Sequence, residues 1–87
     1  MPPPIRRTAT QAASVLADRV RSRRAELEVT QQQVAYEAGI TISWLSDIER
    51  AKRQRPELPG LLALAEALDM DAGELLGGLK PDPKTVG

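Results

Sequence analysis

The residues able to do chemistry in this 87-residue chain form a short set. Cysteine and histidine are both absent. Disulfides, thiolate nucleophiles, imidazole acid–base catalysis and the serine–histidine triad are therefore excluded. Any metal would have to be held by oxygen alone, and the carboxylates are scattered, without the spacing of an acid pair or a metal cluster. We expect no enzyme, no metal and no cofactor. What remains is recognition chemistry. Gln31-Gln32-Gln33 offer side-chain amides, Thr41 and Ser43 offer hydroxyls, and Arg50, Lys52, Arg53 and Arg55 bring cations close together in the chain. Neutral donors beside a run of cations are suited to gripping an anionic partner rather than transforming it.

Something must position that set, and the composition points to helices. The chain is rich in Ala, Leu, Arg, Glu and Gln, all strong helix formers, and shows no alternating strand pattern and no repeat. Three-residue and four-residue apolar spacings, with caps, predict five helices. The first spans about 9–27, with Ala13, Leu16, Ala17, Val20 and Leu27 on one stripe and Arg24 falling on the same stripe. The second, about 31–38, is capped by Thr30, turns Val34, Ala35 and Ala38 inward, and stops at Gly39; Ile40 then enters the core. The third, about 42–50, is capped by Thr41 and buries Leu45 and Ile48. The fourth, about 58–68, carries Leu58, Leu61, Leu62, Ala65 and Leu68, with Pro59 tolerable in its first turn. The fifth, about 72–77, is capped by Asp71, turns Leu75 and Leu76 inward, and has Met70 at its base. Residues 1–8 read as a disordered arm, 9–78 as one all-α domain and 79–87 as a flexible tail.

The net charge is zero but unevenly divided. Residues 1–55 hold ten Lys and Arg against six Asp and Glu; residues 56–87 hold two against six. A neutral chain divided in this way can present a basic face. No apolar run approaches a membrane span and no signal peptide is visible, so a cytoplasmic protein is expected.

Residues 30–50 bring these threads together. Two short helices meet through a turn at Gly39, with the small Ala35 at their crossing and Val34, Ile40, Leu45 and Ile48 locking it. That is the arrangement that sets a second helix into a major groove. Thr30-Gln31, Val34-Ala35, Gly39-Ile40, Ser43, Leu45-Ser46, Ile48-Glu49-Arg50, Lys52-Arg53, Pro56 and Leu61 to Leu68 resemble the lambda-repressor/Cro (XRE-like) helix-turn-helix family. The likeness covers about 16–78 and is strongest to lambdoid phage repressor domains. It implies a five-helix double-stranded-DNA-binding domain. Base reading would fall to Thr41, Ile42, Ser43, Trp44 and Asp47 on the third helix, and phosphate contacts to Gln31, Arg50, Lys52, Arg53 and Arg55. Arg24 and Glu49 would form a buried ion pair. The third helix offers few bidentate base readers, which shifts specificity toward DNA shape.

The resemblance also implies a homodimer, placed around Glu57, Leu58, Leu75, Leu76 and Leu79, on a palindromic operator. A repressor encoded by a bacterium or phage is the leading expectation. An autoregulating antitoxin with a toxin partner, or a restriction–modification controller, is the first alternative; a protein-interaction module is the second. No ligand-sensing domain is visible. Two positions depart from the family pattern: Glu28 and Ala51 stand where glycine or asparagine is usual. Either these residues take the left-handed conformation at some cost, or the third helix runs on.

Overall fold

The structure is a computed structural model, and it describes residues 11–81. The residues of the expected arm, and all but the first three of the expected tail, lie outside that span. Five helices follow one another: α1 (Gln11–Leu27), α2 (Gln31–Ala38), α3 (Ile42–Glu49), α4 (Leu58–Ala67) and α5 (Ala72–Leu76). No strand occurs among the described residues, and no helix there is long and apolar enough to cross a membrane.

The caps explain the boundaries. Thr30 Oγ1 accepts from the Gln33 N–H at 3.1 Å, and Gln33 Oε1 accepts from the Thr30 N–H at 2.8 Å. This reciprocal box satisfies two donors that an α-helix start leaves free. Gly39 ends α2 at φ 70°, a left-handed turn that glycine makes without steric cost. Its N–H and that of Ile40 donate to Tyr36 and Ala35 carbonyls, at 3.2 and 3.0 Å. Thr41 Oγ1 accepts from the Trp44 N–H at 2.9 Å and starts α3.

Three other helix ends lack glycine, while α5 ends at Gly77. Glu28 (φ 57°), Ala51 (φ 57°) and Asp69 (φ 56°) close α1, α3 and α4 in the left-handed region. The third helix therefore stops at Glu49, with Arg50 as its C-cap, and does not run on. A Cβ in this conformation costs about 1 kcal/mol.

The core is one cluster in which Leu16, Val20, Val34, Ala35, Leu45, Ile48, Leu61, Leu64, Ala65, Leu68 and Leu75 are buried. Ala13, Ala17 and Ala51 form a second, small one, where the end of α3 meets α1. Several inward assignments need correction. Leu27 is 36 % exposed, because the chain turns at Glu28 and Val29 packs on the core instead. In α4 the buried stripe is Leu61, Leu64, Ala65 and Leu68, while Leu58 and Leu62 stand exposed. Ala38 is only half-buried.

Four arginines of α1 hold the other elements. Arg19 Nη1 donates to the Leu75 carbonyl at 3.0 Å, Arg21 Nη1 to that of Glu49 at 2.5 Å, and Arg23 Nε to that of Leu68 at 2.8 Å. These are carbonyls at the ends of α5, α3 and α4, left without intrahelical partners and carrying partial negative charge. Arg24 Nη1 caps Val29 at 3.0 Å.

Candidate nucleic-acid interface

The α2–turn–α3 unit presents the start of α3 to solvent. Thr41, Ile42 and Ser43 are exposed, Ile42 by 44 %. The Thr41 oxygen accepts the cap hydrogen bond, which leaves its hydroxyl proton to donate outward.

At the other end of α3 lies a polar seam centred on Glu49. Arg24 grips Glu49 with two bonds, Nε to Oε2 at 2.5 Å and Nη2 to Oε1 at 2.9 Å. Gln31 Nε2 donates to the same Oε1 at 3.0 Å. Glu49 is 4 % exposed. Burial pushes its carboxyl up, but the hydrogen bonds from Arg24 and Gln31 and the charges of Arg24 and Arg21 outweigh this and hold it below the usual value. The hydrogen bond to Glu49 raises Arg24 further, against its own partial burial. Among the described residues no buried side-chain polar atom lacks a partner. Gln31 thus has one amide N–H committed inward, with the N-terminal backbone of α2 beside it.

Trp44 and Asp47 sit differently from Thr41, Ile42 and Ser43. The indole packs against the core, its Nε1 donates to Glu57 Oε1 at 3.0 Å, and it fills the space over Gly60, where a Cβ would lie 2.8 Å from the ring. With its one polar atom taken, Trp44 ties α3 to the start of α4 rather than offering a free base-reading donor. Asp47 is half-buried, with Oδ2 3.8 Å from Arg53 Nε. Arg53 also lies 3.8 Å from Glu57 and 6.0 Å from the Trp44 ring centre. Arg50, Lys52 and Arg55 are exposed, and their side chains make no hydrogen bond or ion pair with the described residues. Glu57 is held low by its own backbone N–H and by Trp44, with a smaller contribution from the Arg53 charge.

The expected dimer set does not share one surface. Leu75 is completely buried, so it belongs to the core and not to an interface. Leu76 and Leu79 are partly buried against that core, which gives Leu79 the place its sequence position did not suggest. Glu57 and Leu58 remain exposed, Leu58 by 58 %, and Leu62, one turn along α4, is 46 % exposed. The i, i+4 spacing of Leu58 and Leu62 was the available signal for this second apolar stripe. Nothing in the sequence pointed to the Asp47–Arg53–Glu57 linkage, because it crosses a helix end.

The sequence profile described as helix-turn-helix domain matches residues 15–76. The chain belongs to the helix-turn-helix family of DNA-binding regulators, in its lambda-repressor/Cro branch. Solved helix-turn-helix proteins share the fold. The restriction–modification controller protein C.AhdI from Aeromonas hydrophila is 30 % identical with a TM-score of 0.68, over 72 % of this chain and 94 % of that one. The P22 c2 repressor, solved with a synthetic operator, is 32 % identical with a TM-score of 0.65, over 72 % and 94 %. The biofilm regulator SinR, solved with DNA, is 30 % identical with a TM-score of 0.66, over 70 % and 97 %. No curated protein matches the chain.

Proposed function

We propose that this helix-turn-helix protein is a sequence-specific, homodimeric transcriptional repressor that binds a palindromic operator in the cytoplasm. One observation carries the reading. The solvent-facing start of α3, at Thr41, Ile42 and Ser43, stands on the same α3–loop unit as Arg50, Lys52 and Arg55, three cations with no partner among the described residues. Base edges would be read by the first group and phosphates held by the second. Gln31, with the amides at the start of α2, supplies a further phosphate contact. Two copies on half-sites about one helical turn apart give the contact number that one small domain lacks. The exposed Leu58 stripe is the surface best suited to join them.

The test is selection of bound duplexes from a random pool at near-physiological salt. We expect enrichment of a palindrome. Enrichment of nothing, with binding that vanishes as salt rises, would leave only backbone grip and turn attention to a protein partner. The likeness to C.AhdI favours a narrower version, a controller that regulates its own restriction–modification operon. A selected operator lying upstream of the protein's own gene would support that version, and one lying elsewhere would remove it.

A further inference from the structure

We infer that Arg53 is a positioning residue that screens Asp47, and not one of the phosphate contacts. The inference rests on the DNA-binding reading above and refines it. Asp47 lies on the recognition helix, where an unscreened carboxylate would repel the phosphates on either side of a groove. Its neighbours divide into two kinds. Arg50, Lys52 and Arg55 are exposed and unpartnered among the described residues. Arg53 alone in the run is turned back on the protein. Its Nε lies 3.8 Å from Asp47 Oδ2, its Nη1 lies 3.8 Å from Glu57 Oε2, and its guanidinium carbon lies 6.0 Å from the Trp44 ring centre.

Each anchor is itself fixed. Asp47 sits in the last full turn of α3, where its carbonyl accepts from the Lys52 N–H at 2.8 Å. Glu57 accepts from Trp44 Nε1 at 3.0 Å, and the indole is wedged over Gly60. Arg53 therefore closes a ring with Glu57 and Trp44 and ties Asp47 to it, joining α3, its following loop and the start of α4. The guanidinium neutralises the acid of the recognition helix and sets the loop's path, which presents Arg55 outward.

A salt-bridged screen and a phosphate grip respond differently to a second mutation. The experiment measures dissociation constants on one fixed duplex for the full chain and for Arg53→Ala, Asp47→Asn and the double variant, each across a salt series. The duplex is the selected operator or, if selection yields none, a random-sequence duplex at low salt. We expect Arg53→Ala to weaken binding about tenfold and the added Asp47→Asn to recover most of that loss, a coupling of the size seen for charge pairs in direct contact. Asp47→Asn alone should bind within about threefold of the unaltered chain, since Arg53 already screens that acid. Thermal midpoints, read in parallel, separate this rescue from a simple repair of stability. Independent losses, or an Arg53→Ala variant whose salt slope falls by about one with no rescue, would make Arg53 a phosphate contact and overturn the inference. Failure of the unaltered chain to bind either duplex would instead remove the DNA reading itself, and the inference with it.

Discussion

Two groups of arginines, alike in composition, do opposite work. Arg19, Arg21, Arg23 and Arg24 on α1 are all consumed internally, on the carbonyls that end α5, α3 and α4 and on the Glu49 carboxylate. Arg50 and Arg55, with Lys52, point to solvent after α3 and meet nothing among the described residues. Positive charge in the sequence is therefore no guide to where an anion binds. What separates the groups is geometry: a helix packed across the ends of three others finds acceptors for every guanidinium, whereas the loop at the rim finds them only for Arg53. The planar, multi-donor fork of arginine suits the first task, which lysine's single point charge would do poorly.

The sharpest break in this comparison is at Glu49. Glu49→Ala leaves Arg24 without its carboxylate and Gln31 without its acceptor. Breaking a buried pair from one side costs about 3–5 kcal/mol, and the lower end applies because the Arg24 side chain is 22 % exposed. Urea unfolding should show a loss of about 3 kcal/mol. The same residue gives an acid dependence. The folded pKa of Glu49 lies below its unfolded value, so its contribution is complete above the ordinary carboxylate value. It is lost as pH falls through the lower, folded value. Glu49→Gln should flatten that acid limb of the stability curve. An unchanged limb would mean that other carboxylates govern acid unfolding.

A milder pair of variants tests the division of labour directly. Arg23→Ala removes donors from two carbonyls at the end of α4, those of Leu68 and Asp69. It should cost about 1–2 kcal/mol of stability and leave the salt slope of DNA binding unchanged. Arg55→Ala should do the reverse. Stability should stay within about 0.5 kcal/mol, affinity should fall about equally on all sequences, and the salt slope should flatten by about one. If Arg23→Ala changed the slope, the α1 group would be reaching DNA and the contrast would collapse.

How much of this was legible beforehand follows the same line. Helix number, caps and the α2–α3 unit were readable because each has a local cause: Thr30 and Thr41 start helices and Gly39 ends one. The choice between stripes in α4 was not. Leu58, Leu61, Leu62 and Leu64 to Leu68 satisfy two overlapping helical periods, and only the packing of α2 and α5 selects the one containing Leu64. The internal use of Arg19, Arg21 and Arg23 was equally hidden, since their acceptors are backbone carbonyls 28 to 56 residues away in the chain. The engagement of Trp44 and Arg53 depended on how α4 starts, which no window around α3 contains.

The smallest effect concerns two of the three left-handed ends, where the same φ of 57° should give different answers. At Glu28 the side chain is exposed and only the backbone N–H is bonded, to the Ala25 carbonyl. Glycine there removes a steric cost of about 1 kcal/mol and returns part of it as unfolded-state freedom, so Glu28→Gly should stabilise by about 0.5 kcal/mol. At Ala51 the backbone gain is the same, but the methyl is buried with Ala13 and Ala17 in the small cluster that seats α3 on α1. Losing one buried methyl costs about 0.8 kcal/mol, which cancels the gain and turns the balance slightly unfavourable. Thermal midpoints of the two variants should therefore move in opposite directions, Glu28→Gly upward and Ala51→Gly downward. Two upward shifts would mean that backbone strain outweighs packing at this junction, and that α3 is seated by the Arg21 and Arg24 contacts without help from the alanine cluster.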